Sequence, residues 1–511
     1  MIRLTDEQAL AAAAPERLVN IVSAPGSGKT TVGAERFGYQ RYQAGDRRGV
    51  LGLSFNRAAV AELSKRIARR WGERCIAFPH RVITFDQLHV EVLRHFVRVG
   101  LVKWPTAIQE LDVRDDYRGT PGFRFLTPPR NYRRVAGLDS KGRVVSLGIK
   151  VDQPTTGIGN IDQHRALLNA GIVSHDDIRN ILVDALRQDT MDQVASDWIA
   201  ATYRAVVIDE VYDAALLDLN IAYTAAEAGI AVTLIGDPWQ ALYKWRGATP
   251  EAVQKLLEVT TADFADYQLS HSFRFFGDQM PALATALRAG DAVSLPSGVS
   301  DEVDVVLARN WIPLWSVGDN VLPLSFRTIE NATDAALNLL LDVVTRGRLG
   351  IASFGKEAAI ARIGLDRDRF LAEQDRVLLP LLADIRAGRS AVDVLDDLRE
   401  AIKGFGVRKP GRLPNAAKEA QRVAQVEALA ARLRQESVIP GLTVFQAKGR
   451  EWVRVGVVLT QAQEALLAAG LQALDDENCV IYVALTRAEN RCVRLGGDAA
   501  LELEIEEPAG G

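Results

Sequence analysis

A glycine-rich segment near the N-terminus carries the residue types that bind phosphate groups. Residues 23–30 read Ser-Ala-Pro-Gly-Ser-Gly-Lys-Thr and lie between an apolar run and a helical pattern. In that context backbone N–H groups and the helix N-terminus bind the anion, the lysine reaches the β- and γ-phosphates, and the threonine holds Mg²⁺. Ser23 stands where the pattern usually has glycine. The residues expected around a nucleotide are Gly26, Ser27, Gly28, Lys29, Thr30 and Thr31.

Two acids that follow a second apolar run supply the other half of a hydrolysis site. Residues 205–210 read Ala-Val-Val-Ile-Asp-Glu. Ligands of α/β sheets bind at the carboxyl ends of the strands, so Asp209 is placed to hold Mg²⁺ and Glu210 to orient or deprotonate water. The alternative interpretation is that these acids only cap the next helix. Glu210 favours hydrolysis over phosphate transfer by a small kinase.

Apolar runs that alternate with helical patterns predict the elements that position these residues. Residues 57–71 carry Ala59, Leu63 and Ile67 at four-residue spacing, which is typical of an amphipathic helix. Strands that alternate with helices predict a doubly wound α/β sheet. The predicted strands are residues 19–22, 50–55, 205–208, 232–235, 321–324 and 455–459.

Two long intervals interrupt this alternation. The chain of 511 residues is too long for one core, and Lys29 and Asp209 are further apart than one βαβ domain requires. We therefore expect one insertion at about residues 91–196 and a smaller, helical one at about 351–436. The stretch 114–150 is either a solvated loop region or a DNA-contacting surface. Its arginines are Arg118, Arg124, Arg130, Arg133, Arg134 and Arg143.

The composition is ordinary for a soluble globular protein, with 48% hydrophobic and 25% charged residues. No run approaches the roughly 18–20 apolar residues of a membrane span, and the N-terminus lacks the basic region of a signal peptide. Cys75, Cys479 and Cys492 fit neither a disulfide framework nor a zinc spacing, which favours the cytoplasm. Because the net charge is −4, any nucleic-acid binding must come from local sites.

A series of motifs along the chain resembles the superfamily 1 helicases of the UvrD/Rep/PcrA type. One match would be weak, but eight in the family's order are hard to obtain by chance. The motifs are Thr-Asp-Glu-Gln at 5–8, Leu-Ser-Phe-Asn-Arg-Ala-Ala at 53–59, Thr-Phe-Asp at 84–86, Asp-Glu-Val-Tyr-Asp at 209–213, Ile-Gly-Asp-Pro-Trp-Gln-Ala-Leu-Tyr-Lys-Trp-Arg-Gly-Ala at 235–248, Ser-Phe-Arg at 272–274, Thr-Val-Phe-Gln-Ala-Lys-Gly-Arg-Glu-Trp at 443–452 and Ile-Tyr-Val-Ala-Leu-Thr-Arg-Ala at 481–488.

The resemblance implies an α/β fold of two RecA-like P-loop NTPase domains with parallel sheets, each interrupted by a mainly helical inserted domain. ATP would bind between the two domains and DNA across their top. The first domain would comprise residues 1–90 and 197–280 around the insertion at 91–196. The second would comprise residues 281–350 and 437–511 around the insertion at 351–436.

The resemblance also assigns ATP chemistry to residues outside the phosphate loop. Gln8 would read adenine, Phe273 would stack on it, and Gln240 would sense the γ-phosphate. Arg274 and Arg487 would be arginine fingers that stabilise charge on the transferring phosphoryl group. The alternatives are a core phenylalanine, a glutamine at a turn and surface salt bridges. The further nucleotide contacts implied are Gly449 and Glu451.

For DNA, the resemblance points to aromatic and polar side chains. Bases of a single strand stack on rings while basic residues follow the phosphates. Phe55 and Trp245 fall at the stacking positions, although rings near strand ends are usually core. The other DNA contacts implied are Asn56, Thr84, Tyr243, Arg246, Thr443 and Phe445. The expected partners are single-stranded DNA and its junctions with duplex, and no membrane.

Four positions depart from the family pattern: Tyr212, Asp86, Phe445 and Arg450. Tyr212 puts in doubt the usual link between hydrolysis and the DNA groove, and Asp86 is a poor phosphate partner. We expect an ATP-dependent single-stranded DNA translocase and helicase, 3′ to 5′ by resemblance alone. The alternatives are an RNA helicase, a motor subunit of a larger repair or defence complex, and an ATP-gated nucleic-acid sensor without processive unwinding.

Overall fold

The computed structural model describes residues 3–43, 45–107, 110–114, 126–127, 132–150, 160–260 and 262–496. The chain divides into two compact units between Arg274 and Phe275.

The first unit is built of strands alternating with helices. Its strands are β1 (Leu18–Ser23), β2 (Gly49–Ser54), β3 (Arg81–Thr84), β4 (Asp112–Val113), β5 (Leu126–Thr127), β6 (Tyr132–Leu138), β7 (Val144–Lys150), β8 (Ile172–Val173), β9 (Tyr203–Asp209), β10 (Ala231–Gly236) and β11 (Ala265–Leu269). Its helices are α1 (Asp6–Ala12), α2 (Lys29–Tyr42), α3 (Arg57–Trp71), α4 (Phe85–Arg98), α5 (Ile161–Asn169), α6 (His175–Ala185), α7 (Asp189–Thr202), α8 (Leu216–Glu227) and α9 (Pro250–Val259).

The main sheet of the described part of this unit has six parallel strands in the order β11-β1-β10-β9-β2-β3. Val19 and Val50 face one side of the sheet and are buried in apolar clusters with α1, α2 and α3, whereas Leu51 and Val206 face the other side and line a small cavity with Ile221 of α8. Burial on both faces explains why these strands are continuous apolar runs rather than alternating ones. The carboxyl ends of all six strands therefore meet at one edge.

The chain between β3 and β9 supplies α4–α7 and two small sheets. Part of the stretch predicted as a loop region is instead an antiparallel hairpin of β6 and β7, with β5 alongside β6. Val135, Ala136 and Val144 are buried in it, so packing against α6 selects the strands. Outside the described residues lie Arg118, Arg124, Arg130 and the side chain of Arg133.

The second unit has a five-stranded parallel sheet, in the order β13-β14-β12-β15-β16, within the described residues. Its strands are β12 (Val305–Ala308), β13 (Val321–Pro323), β14 (Ile439–Thr443), β15 (Trp452–Val458) and β16 (Ala488–Arg494). Its helices are α10 (Gln279–Ala289), α11 (Trp311–Leu314), α12 (Ala332–Leu349), α13 (Lys356–Ile363), α14 (Arg367–Arg386), α15 (Ala391–Lys403), α16 (Ala416–Arg434), α17 (Val444–Ala447), α18 (Gln461–Ala469) and α19 (Asp476–Leu485).

Helices α12–α16 lie between β13 and β14 in the sequence, and they pack around their own apolar cluster. A fully buried arginine, Arg422, donates from Nε to Asp334 at 2.7 Å inside this layer. The helical layer thus begins at Ala332, whereas the predicted insertion begins at residue 351.

The α/β architecture with parallel sheets predicted from the sequence is confirmed. All six predicted strands coincide with observed ones, namely β1, β2, β9, β10, β13 and β15. Helix α3 has the bounds that the apolar spacing predicts, because Asn56 caps its first turn and Gly72 ends it. None of the described helices is long and apolar enough to cross a membrane.

Candidate ATP site and nucleic-acid cleft

The glycine-rich segment joins β1 to α2 and curls over the carboxyl edge of the sheet. Gly26 and Gly28 have φ of +73° and +87°, a backbone region that favours glycine. A Cβ on Gly26 would lie 2.4 Å from Arg274 Cβ. Ser27 Oγ is buried without a hydrogen-bond partner in the described structure. A loop of this shape, with N–H groups at the start of α2, suits a phosphate chain.

Two other segments hold the loop in place. Gln8 Nε2 donates to Ser27 O at 2.8 Å, and Gln8 Oε1 accepts from Thr5 N at 3.1 Å. From the other side, Ser272 Oγ donates to Pro25 O at 2.7 Å. The Gln8 amide is thus hydrogen-bonded to the phosphate loop and has a structural role. Its contact with adenine stays a prediction.

The Ser-Phe-Arg segment follows β11 and is tied to the same loop. Phe273 N donates to Gly26 O at 3.0 Å, yet the Phe273 ring is 58% exposed and packs edge-on against the His271 ring. Arg274 is half-buried beside Gly26. Phe273 is therefore not a core residue, and a flat exposed ring beside a phosphate loop can accept a base.

The predicted acids lie across the loop from Lys29. Lys29 Nζ is 3.9 Å from Glu210 Oε1. Burial raises the pKa of Asp209, the Glu210 carboxylate raises it further, and Lys29 and a hydrogen bond from Thr30 oppose both effects. Glu210 has a φ of +57°, a conformation that is rare outside glycine and clusters at functional sites. Glu210 occupies the N-cap position of the 3₁₀ turn at Val211–Asp213, but its side chain makes no capping hydrogen bond there.

These side chains also fit a magnesium ion. Thr30 and Asp209 offer hard oxygen ligands, and Mg²⁺ is usually held by one or two protein oxygens together with phosphates and water. The Thr30 side chain lowers the pKa of Asp209, so the two groups are neighbours. Thr31 Oγ1 accepts from Arg66 at 2.6 Å, which directs it toward α3.

A short 3₁₀ helix after β10 places the predicted sensor glutamine. Gln240 is 4% exposed, and its Nε2 donates to Asp237 Oδ2 at 2.7 Å. Beside it the ring of Tyr212 is buried, and a Cβ on Gly236 would lie 2.7 Å from Tyr212 Cδ2. Burial raises the pKa of Tyr212 to about 12, so its hydroxyl stays protonated at neutral pH. Tyr212 thus packs where the family pattern has a polar amide.

A cleft of about 780 Å³ opens in the same unit. Four of the predicted DNA residues line it: Phe55, Asn56, Thr84 and Arg246. Tyr243 stacks on Phe55 with ring centroids 5.4 Å apart. Asn56 and Thr84 cap α3 and α4 through their side-chain oxygens, so they have local structural roles as well.

Trp245 projects from the short turn after Tyr243. Its ring is 54% exposed, and the Arg246 guanidinium lies 4.6 Å from the ring centroid. An exposed indole with a cation on one face is suited to stacking with a base. Trp245 is therefore not the core residue that the alternative interpretation proposed.

Arg179 is among the cleft residues that sequence reasoning missed. It lies on α6 and donates from Nη2 to Asp86 Oδ1 at 2.5 Å. Ninety-three positions separate the two residues, and no motif contains Arg179. The unusual acid in the Thr-Phe-Asp motif was the one signal that pointed to such a partner.

Two of the remaining predicted residues lie at the end of β14 in the second unit. Thr443 is 4% exposed and its N–H donates to Gln446 Oε1 at 3.0 Å, which starts α17. Phe445 is half-buried in that helix. Their contacts with DNA stay predictions.

The other three predicted residues, Gly449, Glu451 and Arg487, lie around the start of β15. Gly449 has a φ of +83°, and Glu451 is exposed. Arg487 follows α19, is 1% exposed, and donates from Nε to Val483 O at 3.1 Å. Trp452 N donates to Arg487 O at 3.0 Å, so these residues form one cluster within this unit.

Comparison with known proteins agrees with the motifs. The sequence profile of the UvrD/REP helicase N-terminal domain matches residues 4–121 and 160–260. The gap in that match falls within the interval predicted as an insertion. A probable DNA helicase II homolog of Mycoplasma capricolum is 21% identical over 260 residues, which are 48% of this chain and 35% of that protein.

The Gabija protein GajB of Bacillus cereus is 38% identical over 82 residues, which are 16% of each protein. The matched segments thus span well under two thirds of both relatives. With the motifs in order on this fold and the domain match across it, the first unit is a UvrD/REP helicase N-terminal domain, and the chain resembles the UvrD-like superfamily 1 helicases.

Proposed function

We propose that this protein hydrolyses ATP to move along single-stranded DNA and to unwind duplexes at junctions, 3′ to 5′ by family resemblance. One observation carries the proposal: the hydrolysis residues and the cleft share one sheet edge. β9 ends at Asp209, and its neighbour β2 runs directly into Phe55. A change at the phosphates therefore has a short path to a bound strand.

Each residue of the ATP site has a separate role in the proposed hydrolysis. Lys29 and the N–H groups of the loop bind the phosphates, and Arg274, beside Gly26, stabilises charge on the γ-phosphoryl group. Thr30 and Asp209 would hold Mg²⁺, which neutralises phosphate charge when bound. Glu210, 3.9 Å from Lys29, orients and deprotonates the attacking water. The roles of Arg487, Gly449 and Glu451 rest on the resemblance.

Coupling would run through residues 237–246. This segment begins at Asp237, which holds Gln240, and ends at Arg246 in the cleft. Tyr243 within it stacks on Phe55. Since the segment is short and buried at its Gln240 end, a shift of Gln240 would move the Tyr243 and Phe55 rings, on which bases stack.

The test is ATP hydrolysis with and without single-stranded DNA, with single-stranded RNA and blunt duplex DNA in parallel. We expect strong stimulation by single-stranded DNA and, next, unwinding of duplexes that carry a 3′ tail but not of those with a 5′ tail. Stronger stimulation by RNA would identify an RNA helicase. Stimulation without unwinding would identify a translocase.

A second candidate is an ATP-gated nucleic-acid sensor or a motor subunit of a larger repair or defence complex. The buried Tyr212 favours it, because an apolar ring against Gly236 replaces a polar group between the ATP site and the cleft. Hydrolysis that ignores every nucleic acid would support this candidate and contradict the coupled motor.

A further inference from the structure

The cleft of the first unit has two unlike walls. One carries the ring of Phe55, on which Tyr243 stacks from behind the lining. The other is formed by α6, which contributes Arg179 and Asn180. A single strand has an apolar side, its bases, and an anionic side, its phosphates. Bases on the aromatic wall would direct the phosphates toward α6.

Arg179 is the cation of that second wall. It donates from Nη2 to Asp86 Oδ1 at 2.5 Å and from Nη1 to Asp176 Oδ1 at 3.4 Å. Its side chain is nevertheless 42% exposed. A guanidinium has five N–H donors in a rigid fork, so two carboxylate contacts fix its plane and leave N–H groups for a further anion.

The acids that pair with Arg179 leave its positive charge available to a phosphate. Although burial opposes it, Asp86 and Asp176 raise the pKa of Arg179, so the guanidinium stays charged. Asp86 is itself held at the first turn of α4, with Thr84 capping that helix. A long side chain that would otherwise sample many rotamers is thereby held in one place, which lowers the entropy lost when a phosphate binds.

We propose that Arg179 binds a backbone phosphate of the single-stranded nucleic acid in this cleft, and that Asp86 and Asp176 are its positioning residues. This inference rests on the proposed function and adds a contact that the motifs do not contain. It also explains Asp86: the carboxylate faces the guanidinium, so it acts on the strand through Arg179.

The experiment measures binding of a fluorescent oligothymidylate at several salt concentrations. Each phosphate contact adds about 0.7 to the slope of log affinity against log salt for a single strand. Arg179→Ala should weaken binding about tenfold at low salt and reduce the slope by about 0.7. Arg187→Ala is the matched control, because Arg187 pairs with Asp184 nearby, is 75% exposed and is not part of the cleft. It should bind as the wild type does.

Three further variants separate binding from folding. Arg179→Lys keeps the charge but loses the fork, so it should retain the wild-type slope with weaker affinity. Asp86→Asn removes a negative charge yet keeps an acceptor for Nη2, whereas Asp86→Ala releases Arg179. Asp86→Ala should therefore bind more weakly than Asp86→Asn, although simple repulsion between Asp86 and phosphate predicts that the two variants bind equally well.

The outcomes test the phosphate contact of Arg179 and the proposed function separately. If the wild type binds the oligonucleotide and Arg179→Ala keeps its slope and affinity, the phosphate contact is wrong while the proposed function stands. Equal binding by the two Asp86 variants would overturn the positioning role. If the wild type binds no single strand at any salt concentration, the proposed function fails and the inference fails with it.

Discussion

Gly26→Ala tests whether the Ser-Phe-Arg segment must rest on the phosphate loop. Two costs follow from the structure. The φ of +73° at Gly26 disfavours any side chain by about 1–2 kcal/mol. In addition, the new Cβ would lie 2.4 Å from Arg274 Cβ, whereas carbon atoms in contact lie about 3.5–4.0 Å apart. The loop or Arg274 must therefore move by about 1 Å, and such a misplacement can cost about 100-fold in rate.

Gly229→Ala is the control for the backbone cost alone. Gly229 has a φ of +79°, no described atom lies within 4 Å of its built Cβ, and it precedes β10 at the opposite edge of the sheet. We expect kcat/KM for ATP to fall about 100-fold in Gly26→Ala and to stay within twofold of the wild type in Gly229→Ala, measured by steady-state ATP hydrolysis. If Gly26→Ala keeps kcat/KM within threefold, Arg274 does not depend on this contact and the reasoning is refuted.

Three further predictions follow from the same structure. Glu210→Gln should lower kcat at least 100-fold while a fluorescent ATP analogue still binds, and substantial residual hydrolysis would show that another group activates water. Trp245→Ala should raise the half-saturating concentration of single-stranded DNA about tenfold, whereas Tyr42→Ala, an exposed ring outside the cleft, should not. Burial lowers the pKa of His80 to about 4, and His80 Nδ1 accepts from Val50 N at 3.0 Å. Since the unfolded chain takes up this proton near pH 6.5, stability should be lost as pH falls, by about 2 kcal/mol between pH 7 and 5. Denaturant unfolding at the two pH values measures this loss. If the His80→Asn variant loses the same unfolding free energy between these pH values, groups other than His80 cause the loss.

Local patterns explain why so many elements could be predicted. Helix α3 is amphipathic, has an Asn56 cap and ends at Gly72, so its bounds depend on neighbouring residues alone. The buried parallel strands are short apolar runs, so they too can be predicted from neighbouring residues alone. By contrast, β6 and β7 were hidden in a stretch rich in Arg and Gly, because their burial depends on α6, whose Asp177 accepts a hydrogen bond from Ala136 N across 41 positions of chain.

The ATP residues could also be named from sequence, since each lies beside a strand end or a helix start that local patterns define. Their mutual contacts could not. The bond from Gln8 to Ser27, the packing of Tyr212 on Gly236 and the approach of Ser272 to the loop join separate segments. Such contacts depend on how the segments pack.

By itself the sequence determined the phosphate loop, the paired acids, the order of the motifs and the parallel α/β architecture, because these follow from residue types and short spacings. Only the tertiary structure decided what Asp86 does. Its carboxylate meets Arg179 across 93 positions of chain, and a contact of that range exists only after α4 and α6 have packed together. The physical reason is that burial and charge pairing act between neighbours in space, whereas a sequence pattern records neighbours along the chain.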